Sequence, residues 1–169
     1  VDLLLEEIVK KIPPPTRGSN ETPLRALVYD SWFDAYLGVV TQIRVFDGQI
    51  KSGDKIKFVN TGAEHTVYKV GVFTPAAREV AILSSGECGY FSAAIKDLRD
   101  VKIGDTVASG AVEKSEPLPG FKLVKPMVFG GLFPVDSADY QLLRTSLEKL
   151  SLNDASFTWE PESSVALGF

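Results

Sequence analysis

His65 and Cys88 are the only histidine and cysteine in this 169-residue sequence, so acid–base or nucleophilic chemistry has to begin with them. A serine or cysteine nucleophile activated by histidine would need His65. That residue follows the turn-forming Asn60-Thr61-Gly62 and reads as an exposed residue at a strand end. Cys88 stands between Glu87 and Gly89 at the head of an apolar strand, where a small buried hydrophobe is expected. One Cys and one His fall short of a structural zinc set, and no metal is expected. Carboxylates gather at Asp30, Asp34, Asp47 and Asp54, and again at Glu160 and Glu162. Glycosidases use carboxylate pairs, but their separation is set in space rather than along the chain. Turn chemistry accounts for Asp47 and Asp54, and Glu160-Pro161-Glu162 reads as an exposed turn. A hydrolase would have to join Asp34 to His65. There is no Gly-x-x-x-x-Gly-Lys-Ser/Thr loop, and no phosphate-binding lysine follows Gly130-Gly131. No catalytic residue and no bound cofactor are expected within these residues.

The remaining chemistry is that of a surface. Lys51, Lys55 and Lys57 read as one hairpin, and Lys96, Arg99 and Lys102 as one loop before Gly104. Loops meeting at a barrel rim could grip phosphates, and Trp32, Phe33 and Tyr36 could stack on bases or pack against a neighbouring domain. The net charge of −4, from 18 basic and 22 acidic residues, argues against a stand-alone nucleic-acid binder and against DNA as partner. It leaves room for a local basic face. With 44% hydrophobic and 24% charged residues, the composition is that of a globular domain. No run reaches the roughly eighteen apolar residues of a membrane helix. A lone cysteine cannot form an internal disulfide, which fits a reducing compartment.

These residues need elements to hold them. Leu4, Ile8 and Ile12 recur at helical spacing, and Pro13-Pro14-Pro15 ends that helix. Such a short helix needs a body to pack on. From Leu24 to Val107 the period is two. Val39, Ile43 and Val45 share a face opposite Gln42 and Arg44; Ile56 and Phe58 alternate with Lys55 and Lys57; Tyr68, Val70 and Val72 oppose Lys69. Asp47-Gly48, between Val45 and Ile50, predicts a tight hairpin. Short strands so punctuated indicate a small barrel. Beyond a Pro-rich linker, residues 126–133 predict a strand, Asp136 or Ser137 a helix cap, and Tyr140, Leu143, Leu147 and Leu150 one apolar helix stripe. A further strand is expected from Phe157. The class is thus mainly β with an α+β addition: helix and linker at 1–22, barrel at 23–112, linker at 113–123, and an incomplete β-α-β unit at 124–169. Both ends read as cuts in a longer chain.

The stretch from Leu24 through Tyr36-Leu37-Gly38-Val39-Val40, with Arg44-Val45-Phe46-Asp47-Gly48 and Lys51-Ser52-Gly53-Asp54, resembles the second domain of translational GTPases. Ile12-Pro13-Pro14-Pro15, Gly86-Glu87-Cys88-Gly89-Tyr90, Val101-Lys102-Ile103-Gly104-Asp105, Pro117-Leu118-Pro119 and Trp159-Glu160-Pro161 bring it closest to the elongation factor 4 (LepA) family. The resemblance implies a translation-factor barrel followed by the start of a ferredoxin-like domain, itself non-catalytic. It implies GTP and Mg held by a separate GTPase domain, and a parent GTP hydrolase that acts on tRNA position, with back-translocation as one proposed role. It implies partners in small-subunit ribosomal RNA and protein, and in the GTPase and C-terminal domains. The compartment implied is the cytoplasm, an organelle in a eukaryote, or a peripheral position at a membrane. The ribosome-facing edges would be the 34–39 turn, with Asp34, Tyr36 and Leu37, and the loop with Lys96, Arg99 and Lys102; Lys51, Lys55 and Lys57 rank behind them. Leu37 stands where many related factors carry a basic residue. The rival reading is a free-standing barrel that binds a small ligand or peptide.

Overall fold

Alternating β-branched residues from Arg25 onward do fold as strands, and the strands close on themselves. The computed structural model describes residues 1–15, 18–95, 97–112, 115–119, 126–154 and 156–161. The strands are β1 (Arg25–Asp34), β2 (Gly38–Asp47), β3 (Gln49–Lys51), β4 (Lys55–Phe58), β5 (Glu64–Phe73), β6 (Ala77–Glu79), β7 (Ile82–Ser84), β8 (Cys88–Ala93) and β9 (Thr106–Ser109). Six of them pair in the order β4-β9-β1-β2-β8-β5, and a β4–β5 pairing closes the ring. Every pairing is antiparallel. β6 extends β5 as a flap, and β3 with β7 makes a separate ribbon.

The predicted inward faces fill the ring. Val39, Ile43, Val45, Ile56, Phe58, Phe91 and Val107 are fully buried. Packing so complete leaves a small barrel no room for a ligand. Tyr68 departs from the expected alternation and is 58% exposed. Opposite β8, Val67 faces Ala93 and Lys69 faces Ser92, so Tyr68 is the extra residue of a bulge. The bulge resets the phase, turning Val67 and Val70 inward. Cys88 is exposed rather than buried, because it enters β8 opposite Arg44, on the outer face of β2.

Asp47-Gly48 makes no hairpin. Gly48 does take the positive φ that the pair predicts, 72°. However, β2 is flanked by β1 and β8, while β3 pairs with β7, so the turn is a corner between two sheets. A Cβ at Gly48 would lie 2.6 Å from the Leu24 amide nitrogen, so glycine is also required by close approach. The corner carries Ile50 and, across the ribbon, Leu83 into the core. The tight hairpin joins β1 to β2 instead, with Asp34 facing Gly38. Lys51 and the pair Lys55 and Lys57 therefore sit on two strands that do not pair, rather than on one hairpin.

The flanking segments agree with the sequence in their helices and not in their strands. α1 (Asp2–Lys11) forms as expected and buries none of its residues. α2 (Tyr140–Asn153) follows a 3-10 turn capped by Asp136, whose carboxylate accepts from the Ala138 amide. Residues 126–133 and 157–159 form no strand among those described. A strand needs a neighbour to take its amides, and no described strand lies after β9. α2 packs on the barrel. β1 pairs with β9 only over Arg25–Leu27, and α2 covers part of the length beyond. Leu152 enters the barrel core at 2% exposure, and Asn153 Nδ2 donates to Asp30 Oδ1 and the Ser31 carbonyl at 3.3 and 3.4 Å.

Removing that plug measures the docking. Leu152→Ala is expected to cost about 2–4 kcal/mol of unfolding free energy, and Leu150→Ala, at a half-exposed position, less than about 1 kcal/mol. Urea midpoints give both values. Equal small losses would mean that α2 does not rest on the barrel.

Candidate functional site

The 34–38 turn and the loop after β8 emerge side by side. β2 begins at Gly38, and its Val40 faces Ser92 of β8, so β8 ends beside the turn. Asp34 holds the turn: one carboxylate oxygen accepts from the amides of Tyr36 and Leu37 at 2.8 and 2.9 Å. The Leu37 and then the Tyr36 amide lower the Asp34 pKa, because both bonds favour the ionised form. Gly38 completes the turn at φ 73°. This leaves Tyr36 at the apex, 98% exposed, with Leu37 and Phe33 partly exposed at its base. Lys149 of α2 places its Nζ 4.4 Å from the centre of the Phe33 ring. Trp32 is engaged elsewhere, 6.0 Å from Phe73, which is itself 5.0 Å from Tyr90.

The loop is less basic in space than in sequence. Arg99 donates to its neighbour Asp97 through Nε at 3.0 Å and Nη2 at 2.7 Å. These bonds, with the Arg99 amide, hold the Asp97 carboxyl down to about 2. Arg99 is raised in turn, first by Asp97, with Glu148 of α2 and Asp100 adding to it. The Arg99 side chain nonetheless stays 88% exposed beside Asp97. Lys102 is exposed beside Asp105, and Lys96 lies outside the described residues. Lys57 leans toward Glu64 at 3.8 Å. Lys51 and Lys55 lie far from the 34–38 turn. Both line a hollow reached by Leu24, next to the first residue of β1, whereas Asp34 is its last.

His65 stands near the start of β5, as expected, but its side chain is only 12% exposed. Its Nε2 lies 3.1 Å from Asp100 Oδ2, and its ring stands edge-on to Phe58 at 5.9 Å. The carboxylate partner is Asp100, not Asp34, and the pair ties β5 to the 3-10 turn at Leu98–Asp100. Among the described residues, no group of three or more His, Cys, Asp or Glu could hold a metal ion. Asp105 is the buried carboxylate of this region, at 1% exposure. Its Oδ1 accepts from the Asn60 and Thr106 amides, and its Oδ2 has no partner. Burial raises its pKa against those bonds. The Lys149–Phe33 contact has no local sequence signal, since it joins segments remote in the chain. The turn entered through the family resemblance, although Asp34 followed by Gly38 is a local signal that could have found it.

The comparison with known families agrees with this architecture. A family model described as elongation factor Tu domain 2 matches residues 38–108, from the first residue of β2 into β9. Over these residues the closed barrel is similar to that domain.

Two titrations test the electrostatics. The Asp97 carboxyl should titrate near 2 by carboxyl NMR, and Arg99→Gln should return it toward the ordinary carboxylate range near about 4. Asp105 works in the opposite sense. A folded pKa above the unfolded one means that the folded state binds the proton more tightly. The cost of its charge is present at neutral pH and is relieved as pH falls through the folded value toward about 4. Asp105→Asn should remove that contribution, so wild type gains on the variant as pH falls over this window. Parallel stability curves would show that Asp105 carries no such strain.

Proposed function

We propose that this chain works as the non-catalytic docking block of a ribosome-associated GTPase of the elongation factor 4 kind, with the 34–38 turn meeting small-subunit RNA. The observation that carries the reading is Tyr36, fully exposed on a turn locked by Asp34, on a barrel of the translation-factor type. GTP and Mg would be held by a separate GTPase domain. The barrel would pass movement of that domain's switches to the rest of the protein, in the cytoplasm, during repositioning of tRNA in elongation. The packed core favours this over a barrel that encloses a ligand.

The chemistry of contact follows from the charges. With Arg99 tied to Asp97, the rim offers an aromatic face more than a phosphate clamp. Stacking of one base on an exposed ring contributes about 1–3 kcal/mol. Tyr36→Ala should accordingly weaken co-sedimentation of the chain with small ribosomal subunits by about 5- to 150-fold, while Tyr36→Phe keeps it. Salt should change the binding only modestly, since few phosphates are neutralised. Undiminished co-sedimentation of Tyr36→Ala would sink the assignment of the turn; no binding by wild type would sink the docking role itself.

A further inference from the structure

A hollow of about 470 Å³ opens beside the start of β1, between the connector before it, the β3–β7 ribbon and the turn after β9. Its wall is of three kinds. Ile82, 37% exposed, and Leu24 supply an apolar patch; Asn20 and Gln49 supply amides; Lys51 and Lys55 supply two cations. The Asn20 side-chain carbonyl accepts from the Ser85 amide at 2.9 Å, which leaves its NH2 end to donate. Asp54 also borders the hollow, but its carboxylate accepts from the Lys51 amide at 2.9 Å and is committed to the turn. Among the described residues, neither Lys51 nor Lys55 has a carboxylate partner, whereas Lys57 and Lys69 face Glu64 and Glu79. Gly110 sets the far wall. Its amide donates to the Lys55 carbonyl at 2.8 Å, and a Cβ there would come within 3.1 Å of that oxygen.

We infer that this hollow takes a phosphorylated nucleoside, with the phosphate at Lys51 and Lys55 and the base against Ile82. A volume of this size falls in the range of small-molecule sites, about 300–1,000 Å³, and far exceeds a bare inorganic anion. An apolar patch beside two unpaired cations suits a ligand with a flat face and an anionic end. The ligand can be one unit of an RNA strand or a free nucleotide; the shared chemistry is the same. The site lies apart from the 34–38 turn by the length of β1, and its occupancy does not depend on the docking role proposed for that turn.

Fluorescence anisotropy of the whole chain with a short labelled single-stranded RNA, and competition by AMP and by inorganic phosphate, tests the inference. The Lys51→Gln, Lys55→Gln pair should weaken RNA binding about tenfold or more and reduce the salt slope by about 0.7, the value for one phosphate on a single strand. Lys57→Gln should change neither. Ile82→Ser should weaken RNA and AMP while leaving inorganic phosphate a poor competitor in both proteins. Displacement of RNA by AMP marks a free nucleotide as sufficient; RNA binding without it marks a strand. Co-sedimentation with small ribosomal subunits reports the docking role separately, so loss of AMP competition at Lys51 and Lys55 is distinct from a failure of ribosome docking. A Lys57→Gln loss equal to that of the pair, a pair variant that binds like wild type, or no binding of RNA or AMP by wild type overturns the inference.

Discussion

β4 is four residues long, and closure of the barrel depends on it. On one side Lys55, Ile56 and Lys57 face Thr66, His65 and Glu64 of β5; on the other Ile56, Lys57 and Phe58 face Ser109, Ala108 and Val107 of β9. Without these two short ladders the sheet would be open, with β9 and β5 as edges. The same strand sends Ile56 and Phe58 into the centre, where Phe58 lies 6.4 Å from Phe91 across the interior. Closure and core filling are thus one event. A ring closed on aromatic and branched side chains keeps nothing inside, which moves every possible interaction to the rims and the outer face.

Much of that ring was legible because its signals are local. A period of two needs only neighbours in sequence, and β2, β4 and most of β5 declare their inner faces by Val39, Ile43, Ile56, Phe58 and Val70. Both helices were likewise placed by apolar spacing, but the residue that docks α2 is Leu152, outside the predicted stripe, whose Leu150 is 49% exposed. The errors have a common cause, which is that pairing is not local. Asp47-Gly48 has the composition of a hairpin turn, and its positive φ is real. The strand after it, however, takes its direction from the remote segment Ile82–Ser84, which offers β3 its partner. Tyr68 obeys the alternation of its own strand until the register with β8 slips by one. Cys88 depends on whether Arg44, opposite it, faces in or out.

The candidate site shows the same division. Asp34 and Gly38 foretell a turn, and the turn forms with the bonds its residues allow. Charge was the poorer guide. Lys96, Arg99 and Lys102 suggest a basic loop when counted along the chain, yet Asp97 lies within the same few residues and Glu148 arrives from α2. Counting cations without their partners overstates the field they make. Lys51 and Lys55, the less favoured set, form no ion pair among the described residues, although Asp54 borders the same hollow.

The stiffness of the turn connects the barrel to the helix that rests on it. A contact made by a mobile tip loses part of its energy to ordering, whereas a tip already held contributes nearly all of it. Here Tyr36 is held from below by Asp34, through two amides of the turn itself. Phe33, on the last residues of β1, is held from the side by Lys149. Lys149 is placed in turn by Leu152 and Asn153, which fasten α2 to the core and to the backbone of Ser31. The order of the rim therefore descends from the closed ring through one buried leucine. Any force that lifts α2 from β1 withdraws the lysine from Phe33 before it disturbs Asp34, so the base of the turn loosens while its apex keeps its shape. That order of losses reflects which contacts are local and which are not.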